Sequence, residues 1–337
     1  MRAWIVPKGS KQVDDLRQEE RPTPVPRAGQ VLVRVRATSL NYRDQAVVAG
    51  AYTLADSTRD MIPLSDGAGE VVAVGEGVTR FKPGDHVAAT FFQVPPHGPP
   101  MAAPAALGAP LDGMLAEQVV VYEDGLVPAP KGYPFEDAAC LPCAGVTAWH
   151  ALMHAGRAIR PGDTVVVLGT GGVSTFALMF ARAAGARVIA TSSSDEKLQR
   201  AKALGASDGI NYKATPDWDT EVLRLTGGRG ADCVVEVGGV GTLPRSMNAI
   251  GRFGKITLIG LLTGRDGGVS PYPLMFKGGS LHGIFVGDRA MFEEMNRAIE
   301  INGIKPVIDT VYSFDQAPDA FRQAASGAFV GKVVIRL

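Results

Sequence analysis

Two rhythms of apolar and polar positions divide the chain. Between Gln30 and about Gly125 apolar residues alternate with polar ones over short runs: Val31-Leu32-Val33-Arg34-Val35-Arg36, the valine-rich residues 69–75, and residues 115–122, each bounded by turn formers. A period of two sends alternate side chains to a core and to solvent, which predicts strands and a strand-rich lobe. After about Cys143 the rhythm changes. Short apolar runs at 164–168, 187–190, 233–237, 255–259 and 281–286 alternate with helix-like periods at 176–184, 196–204, 218–225 and 243–249. Strands alternating with helices predict a parallel sheet covered on both faces, and right-handed crossovers make it doubly wound. Residues 291–337 return to mixed helix and strand, and the last run, Gly331-Lys332-Val333-Val334-Ile335-Arg336, is expected to rejoin the first lobe. Between Phe92 and Pro110 a Pro/Ala/Gly-rich stretch predicts an extended surface loop.

Composition narrows the function classes. At 337 residues, 46% of them hydrophobic, the chain is long enough for about two domains with sizeable cores. Lys+Arg and Asp+Glu both total 34, so no excess of basic charge favours nucleic acid or an anionic membrane. A small neutral or polar partner fits better. No leader-like or spanning apolar run is present, and three cysteines (Cys140, Cys143, Cys233) are too few for a disulfide framework, so a cytoplasmic protein is expected. Cys140-x-x-Cys143 lacks the context of a redox pair and reads as two small apolar residues near the start of a helix through Ala144-Gly145-Val146-Thr147.

The strongest chemical signal is Gly169-Thr170-Gly171-Gly172-Val173. Glycine is common in this chain, so context decides: the loop directly follows the predicted strand Val165-Val166-Val167-Leu168 and opens a helix, the order a dinucleotide-binding turn requires. Gly169 permits the turn, while Gly171 and Gly172 let the backbone approach a pyrophosphate at the helix N-terminus. The third glycine is replaced by Ser174, still small. For NAD(H) a carboxylate is expected about 20 residues on, to accept from the ribose 2′-hydroxyl. The chain has Ala190-Thr191-Ser192-Ser193-Ser194 instead, with Lys197, Arg200 and Tyr212 in reach of a 2′-phosphate. NADP(H) is therefore favoured over NAD(H). The competing reading makes Ser193-x-x-Glu196 a capping box and Lys197 a solvated helix position.

Five blocks in order resemble the medium-chain dehydrogenase/reductase superfamily, in its zinc-free quinone oxidoreductase-like or zinc-independent alcohol dehydrogenase-like branch: residues 39–44 (Ser-Leu-Asn-Tyr-Arg-Asp), 67–75, 81–87, 144–149 and 331–334. The resemblance covers nearly the whole chain. It implies an α/β fold: a doubly wound parallel Rossmann domain at 144–286, and a strand-rich GroES-like catalytic domain at 1–143 and 287–337. Zinc-dependent relatives carry a cysteine at the position of Asn41, a His-Glu pair at Ser65-Asp66 and a cysteine at Cys143; one thiolate cannot hold a catalytic zinc, so no metal is expected. His150-x-x-x-His154 lacks a third ligand and reads as a packed or partly exposed pair.

What the resemblance implies is hydride transfer from nicotinamide C4 to a small carbonyl or quinone. Without zinc, hydrogen-bond donors must stabilise charge on the acceptor oxygen. Tyr42 is the first candidate donor, Asn41 a cofactor and cleft residue, and Asp44 a catalytic-loop acid that caps or braces. Thr147 matches a position near the nicotinamide, Lys332 one near the pyrophosphate, and Ile284-Phe285-Val286 the backbone that receives the carboxamide. Three functions stay open: an NADPH-dependent quinone or enone reductase, a zinc-independent NAD(P)-dependent alcohol or ketone dehydrogenase, and a non-catalytic cofactor-binding protein. A homodimer through residues 274–286 is expected.

Overall fold

Strand follows strand from the start of the chain: β1 (Arg2–Ile5), β2 (Arg17–Glu20), β3 (Gln30–Ser39), then α1 (Tyr42–Val48), β4 (Asp66–Val74), β5 (His86–Ala89), β6 (Gln118–Tyr122), β7 (Leu126–Pro128) and α2 (Phe135–Ala138). The computed structural model describes residues 1–52, 59–93, 105–264 and 266–337. Residues 94–104, most of the predicted Pro/Ala/Gly-rich loop, lie outside them; on its flanks Phe92 bridges to Ala106. In β3 the alternation does what it predicts: Val31, Val33 and Val35 are buried and Arg34 is exposed. Leu141–Gly145 and His150–His154 wind as π-helical turns on either side of α3 (Val146–Trp149).

The alternating section follows as β8 (Thr164–Leu168), α4 (Gly172–Ala183), β9 (Arg187–Ser192), α5 (Asp195–Ala203), β10 (Asp208–Asn211), α6 (Trp218–Leu225), β11 (Ala231–Glu236), α7 (Leu243–Ala249), β12 (Ile250–Leu258), α8 (Tyr272–Lys277) and β13 (Ser280–Gly283). Every pairing in its six-stranded sheet is parallel, in the order β10-β9-β8-β11-β12-β13. Read from β8 as the first strand, this is the 3-2-1-4-5-6 order of a Rossmann sheet, with the direction of winding reversing between β8 and β11. All five residues of β8 are buried, as a strand covered on both faces requires. Strand β10 gave no signal in the sequence because only Ile210 is buried; its register comes from pairing with β9.

The chain closes with α9 (Arg289–Asn302), β14 (Ile308–Ser313), α10 (Ala317–Ser326) and β15 (Lys332–Arg336). Strand β15 pairs antiparallel with β3 and so completes the seven-stranded sheet of the first unit. Two units result, Met1–Val146 with Gly287–Leu337, and Thr147–Val286. The first unit's core joins β3 to the C-terminal segment through Phe314, Phe321, Val333 and Ile335. Among the described residues no helix is long and apolar enough to cross a membrane.

Candidate active site

In the Thr147–Val286 unit the turn between β8 and α4 is built from backbone. Gly169 sits at φ +74°, a left-handed conformation that glycine adopts without penalty. Gly171 is the more informative residue. Its φ is −76° and a Cβ added there would meet nothing within 4 Å, so neither conformation nor internal packing demands glycine. The open space lies where α4 begins, beside Thr170, Gly172 and Val173. Ser174 does more than stay small: its Oγ donates to Leu168 O at 2.7 Å and ties the helix to the strand end. The amide of Gly169 donates to Thr191 Oγ1 at 3.4 Å, linking the turn to the end of β9.

At the end of β9, Ser192 is buried and its carbonyl accepts from the Tyr212 amide at 3.0 Å, so Ser192 and Tyr212 are brought side by side while the tyrosine ring stays largely exposed. The helix α5 is capped by Ser194, whose Oγ accepts from the Lys197 amide, and not by Ser193. This corrects the expected capping box by one residue and leaves the half-buried Ser193 outside the cap. Thr147 is buried at the start of this unit. Ile284 packs with Ala151 and Ala155, and Phe285 is half-buried beside it. Val286 adopts φ +56°, a conformation a β-branched residue rarely takes. His150 Nδ1 lies 2.7 Å from the Val286 carbonyl and must donate to it, since a carbonyl only accepts. The sequence carried no sign of this His150–Val286 pairing.

In the other unit a buried polar cluster gathers residues from four distant parts of the chain. Lys332 Nζ donates to Leu40 O at 2.7 Å and to Asn41 Oδ1 at 2.6 Å, and lies 3.7 Å from Asp66 Oδ2. Ser65 Oγ donates to Asp66 Oδ1 at 2.8 Å, the Cys143 amide donates to Asp66 Oδ2 at 3.2 Å, and Asn41 Nδ2 reaches Ser65 Oγ at a long 3.5 Å. Burial, with Asp66 adding to it, pushes the Cys143 thiol far above the usual range; burial lifts Cys140 to about 12 and Cys233 to about 11. Lys332 is only 3% exposed and its donors are turned inward onto these partners.

The helix α1 that presents Asn41 is closed by a capping box: Asp44 Oδ2 accepts from the Asn41 amide at 2.7 Å, and the Asn41 side chain accepts from the third helical residue. Asp44 is fully buried, and its second oxygen has no partner among the described residues. Burial drives its carboxyl up to about 6 despite the opposing pull of Arg43. Tyr42, by contrast, is 65% exposed at the first turn and is not held as a donor. Arg43 clamps the same loop: its guanidinium donates to Leu107 O and Ala109 O and stacks on Tyr52 and Phe91. Among the described residues no group of three or more His, Cys, Asp or Glu side chains is placed to hold a metal ion.

Fold and site define a nucleotide-dependent oxidoreductase class, and comparison with known proteins gives it a family. Residues 27–131 match the alcohol dehydrogenase GroES-like domain and residues 172–301 the zinc-binding dehydrogenase family. A zinc-type alcohol dehydrogenase-like protein of Schizosaccharomyces pombe is 44% identical over 334 residues, covering 96% of each chain. A quinone oxidoreductase of Pseudomonas aeruginosa is 31% identical, covering 97% of this chain and 96% of its own. A solved structure described as an NAD-dependent alcohol dehydrogenase superposes with a TM-score of 0.90 at 34% identity, over the full length of both chains. The chain belongs to the medium-chain dehydrogenase/reductase superfamily and is an NAD(P)-dependent oxidoreductase.

Proposed function

We propose that this oxidoreductase reduces quinones or α,β-unsaturated carbonyls with NADPH and without zinc. The observation that carries the reading is the composition of the buried cluster. A catalytic zinc needs three protein ligands drawn from thiolate, imidazole and carboxylate, with one position left open. The cluster offers the Asp66 carboxylate and the Cys143 thiol as its zinc-ligand types, with the neutral Asn41 and Ser65 and the Lys332 ammonium among them. That donor set does not fit zinc, because the positive charge is already supplied by lysine.

The glycine turn fits a dinucleotide. Gly171 leaves room that the protein itself does not use, and the α4 amides face it. Gly169, Thr170, Gly172 and Val173 frame that room. Strand β9 itself ends in Ser192, followed by Ser193, with no carboxylate; Tyr212 lies beside Ser192, and Lys197 follows in the first turn of α5. The nearby Asp195 is engaged by Asn211 at 2.9 Å, an arrangement that supports the 2′-phosphate of NADP(H). Ile284, Phe285 and the strained Val286 suit the carboxamide contact, with Thr147 near the nicotinamide. When bound, the cofactor supplies a hydride from C4 and is oxidised; the acceptor gains the electron pair, its oxygen gains negative charge, and solvent delivers the proton. Asn41 is the buried-side donor for that oxygen, Tyr42 a second at the exposed rim, and Asp44 holds their helix in place.

Steady-state assays with NADPH and NADH against a quinone, an enone and an alcohol test this. Preferential NADPH oxidation with quinone or enone supports it. NAD-linked alcohol oxidation would establish the second reading, a zinc-independent alcohol dehydrogenase, which the name of the 34% identical structure favours. Zinc bound at one equivalent and required for turnover would overturn the metal-free assignment.

A homodimer is part of the same proposal. Strand β13 is the outer edge of its sheet, and Phe253, Tyr272, Met275 and Phe276 lie exposed on the neighbouring β12 and α8. An open edge flanked by apolar side chains suits a second copy of the chain. Sedimentation showing only monomer at micromolar concentration would remove it. The partner molecule is otherwise a small substrate, and three unpaired cysteines accord with the cytoplasm.

A further inference from the structure

Resting on the hydride-transfer reading above, we infer that Lys332 is a positioning residue that, together with the Asp44 amide of the α1 capping box, fixes which end of the Asn41 amide meets the substrate. An asparagine amide has nearly the same shape after a 180° flip, and only its partners choose between the acceptor oxygen and the donor nitrogen. Lys332 is a donor with no acceptor capacity, so the atom 2.6 Å from its Nζ must be the amide oxygen.

The remaining contacts enforce the same sense around a closed ring. Asp66, an acceptor, takes the Ser65 hydroxyl hydrogen at 2.8 Å; Ser65 is left with a lone pair toward Asn41 Nδ2; and the Asp66 carboxylate lies 3.7 Å from the Lys332 ammonium that began the circuit. Flipping the amide would set its NH2 against an ammonium and its oxygen against the Ser65 lone pair. Held this way, Asn41 uses one N–H weakly on Ser65, and its second N–H has no acceptor among the described residues. The buried ion pair therefore sustains an outward-facing donor for the oxygen that gains charge, the task zinc performs in other dehydrogenases.

A double-mutant cycle tests the assignment. Asn41→Ala is expected to lower kcat by about 10²-fold, the loss typical of one oxyanion donor. Lys332→Met should lower kcat at least tenfold while leaving the NADPH Kd within about twofold, and Lys332→Arg should recover part of the loss. Because Lys332 acts through Asn41, the Asn41→Ala/Lys332→Met protein should match Asn41→Ala alone within about twofold. Multiplying effects would overturn the inference, as would a tenfold rise in NADPH Kd with kcat preserved, which would establish the pyrophosphate contact. If Lys332→Met fails to fold, Lys332→Met/Asp66→Asn removes both charges and serves in its place. A readout independent of turnover is the Asn41 side-chain amide resonance pair, identified by its loss in Asn41→Ala. The pair should be sharp and slow to exchange in the unaltered protein and averaged in the Lys332 variant. A protein inactive with every acceptor would sink the functional reading, while the amide resonances would still decide this one.

Discussion

Among the described residues two lysines are buried, one in each unit, and they are spent differently. Lys255 stands in β12 and donates to Ala151 O, Leu152 O and Ala155 O at 2.9, 3.1 and 2.8 Å, carbonyls at the end of the 150–154 turn, of which Leu152 O also accepts from the Ile159 amide. Its partners are all backbone, and a positive charge there also offsets the negative end of the helix. Burial lowers its pKa. Lys332 instead divides its donors between one carbonyl and the side chain of Asn41, with a carboxylate alongside. An ammonium bonded to backbone stabilises a fold; one bonded to a rotatable amide sets its direction. The distinction is energetic: the first interaction is lost only on unfolding, the second when one side chain turns.

The largest expected effect tests the Lys255 half of that contrast. Lys255→Met should cost about 3 kcal/mol of stability, because buried carbonyls lose their donor, with kcat unchanged. Urea denaturation midpoints read beside turnover check it, and a turnover loss as large as that of Lys332→Met would erase the difference between the two sites.

Asp44 brings a third buried charge into the comparison. Its folded-state pKa of about 6 lies above the ordinary aspartate value of 3.8, so its contribution to stability is fully present below pH 3.8 and is lost as pH rises through 6. Asp44→Asn removes that dependence and keeps an oxygen for the Asn41 amide. The stability of Asp44→Asn relative to the unaltered protein should therefore grow between pH 4 and pH 7, by up to roughly 3 kcal/mol. Denaturant titrations at the two pH values measure it, and a difference independent of pH would show that Asp44 ionises freely.

Smaller effects are expected at the glycine turn, where the site is made of backbone. Gly171→Ala should leave Tm unchanged, because its methyl meets no protein atom, yet weaken NADPH binding about tenfold or more. Cofactor fluorescence titration checks this, and undiminished binding would show that the space at Gly171 is not the pyrophosphate seat. The least effect falls on Ser174→Ala, which loses the bond to Leu168 O and about 1 kcal/mol of stability by urea denaturation. An unchanged midpoint would make that bond dispensable.

How far each site could be read in advance follows from how it is built. The glycine turn lies within a few consecutive residues, and its requirements for a tight turn and a close approach act on residue type at fixed spacing. The cap of α5 was legible to within one residue, since Ser193 and Ser194 are chemically alike and the extended backbone an N-cap needs, with the hydroxyl on the Lys197 amide, is found at Ser194. Residue type says nothing of exposure at this helix start: the first turn of α1 carries Tyr42 outward while Asp44, two residues on, is turned into the core. The sense of His150 depended on a carbonyl 136 positions away.

By itself the sequence determined the two rhythms, the winding of the parallel sheet and the glycine turn, because hydrophobic period and backbone freedom are local and survive any arrangement of the rest. Only the tertiary structure decided that residues 40–41, 65–66, 143 and 332 form one cluster, when β15 paired beside β3 and carried Lys332 to Asn41. Hydrogen-bond direction is a property of atoms in contact, and side chains nearly 300 residues apart acquire it only after the sheet has closed.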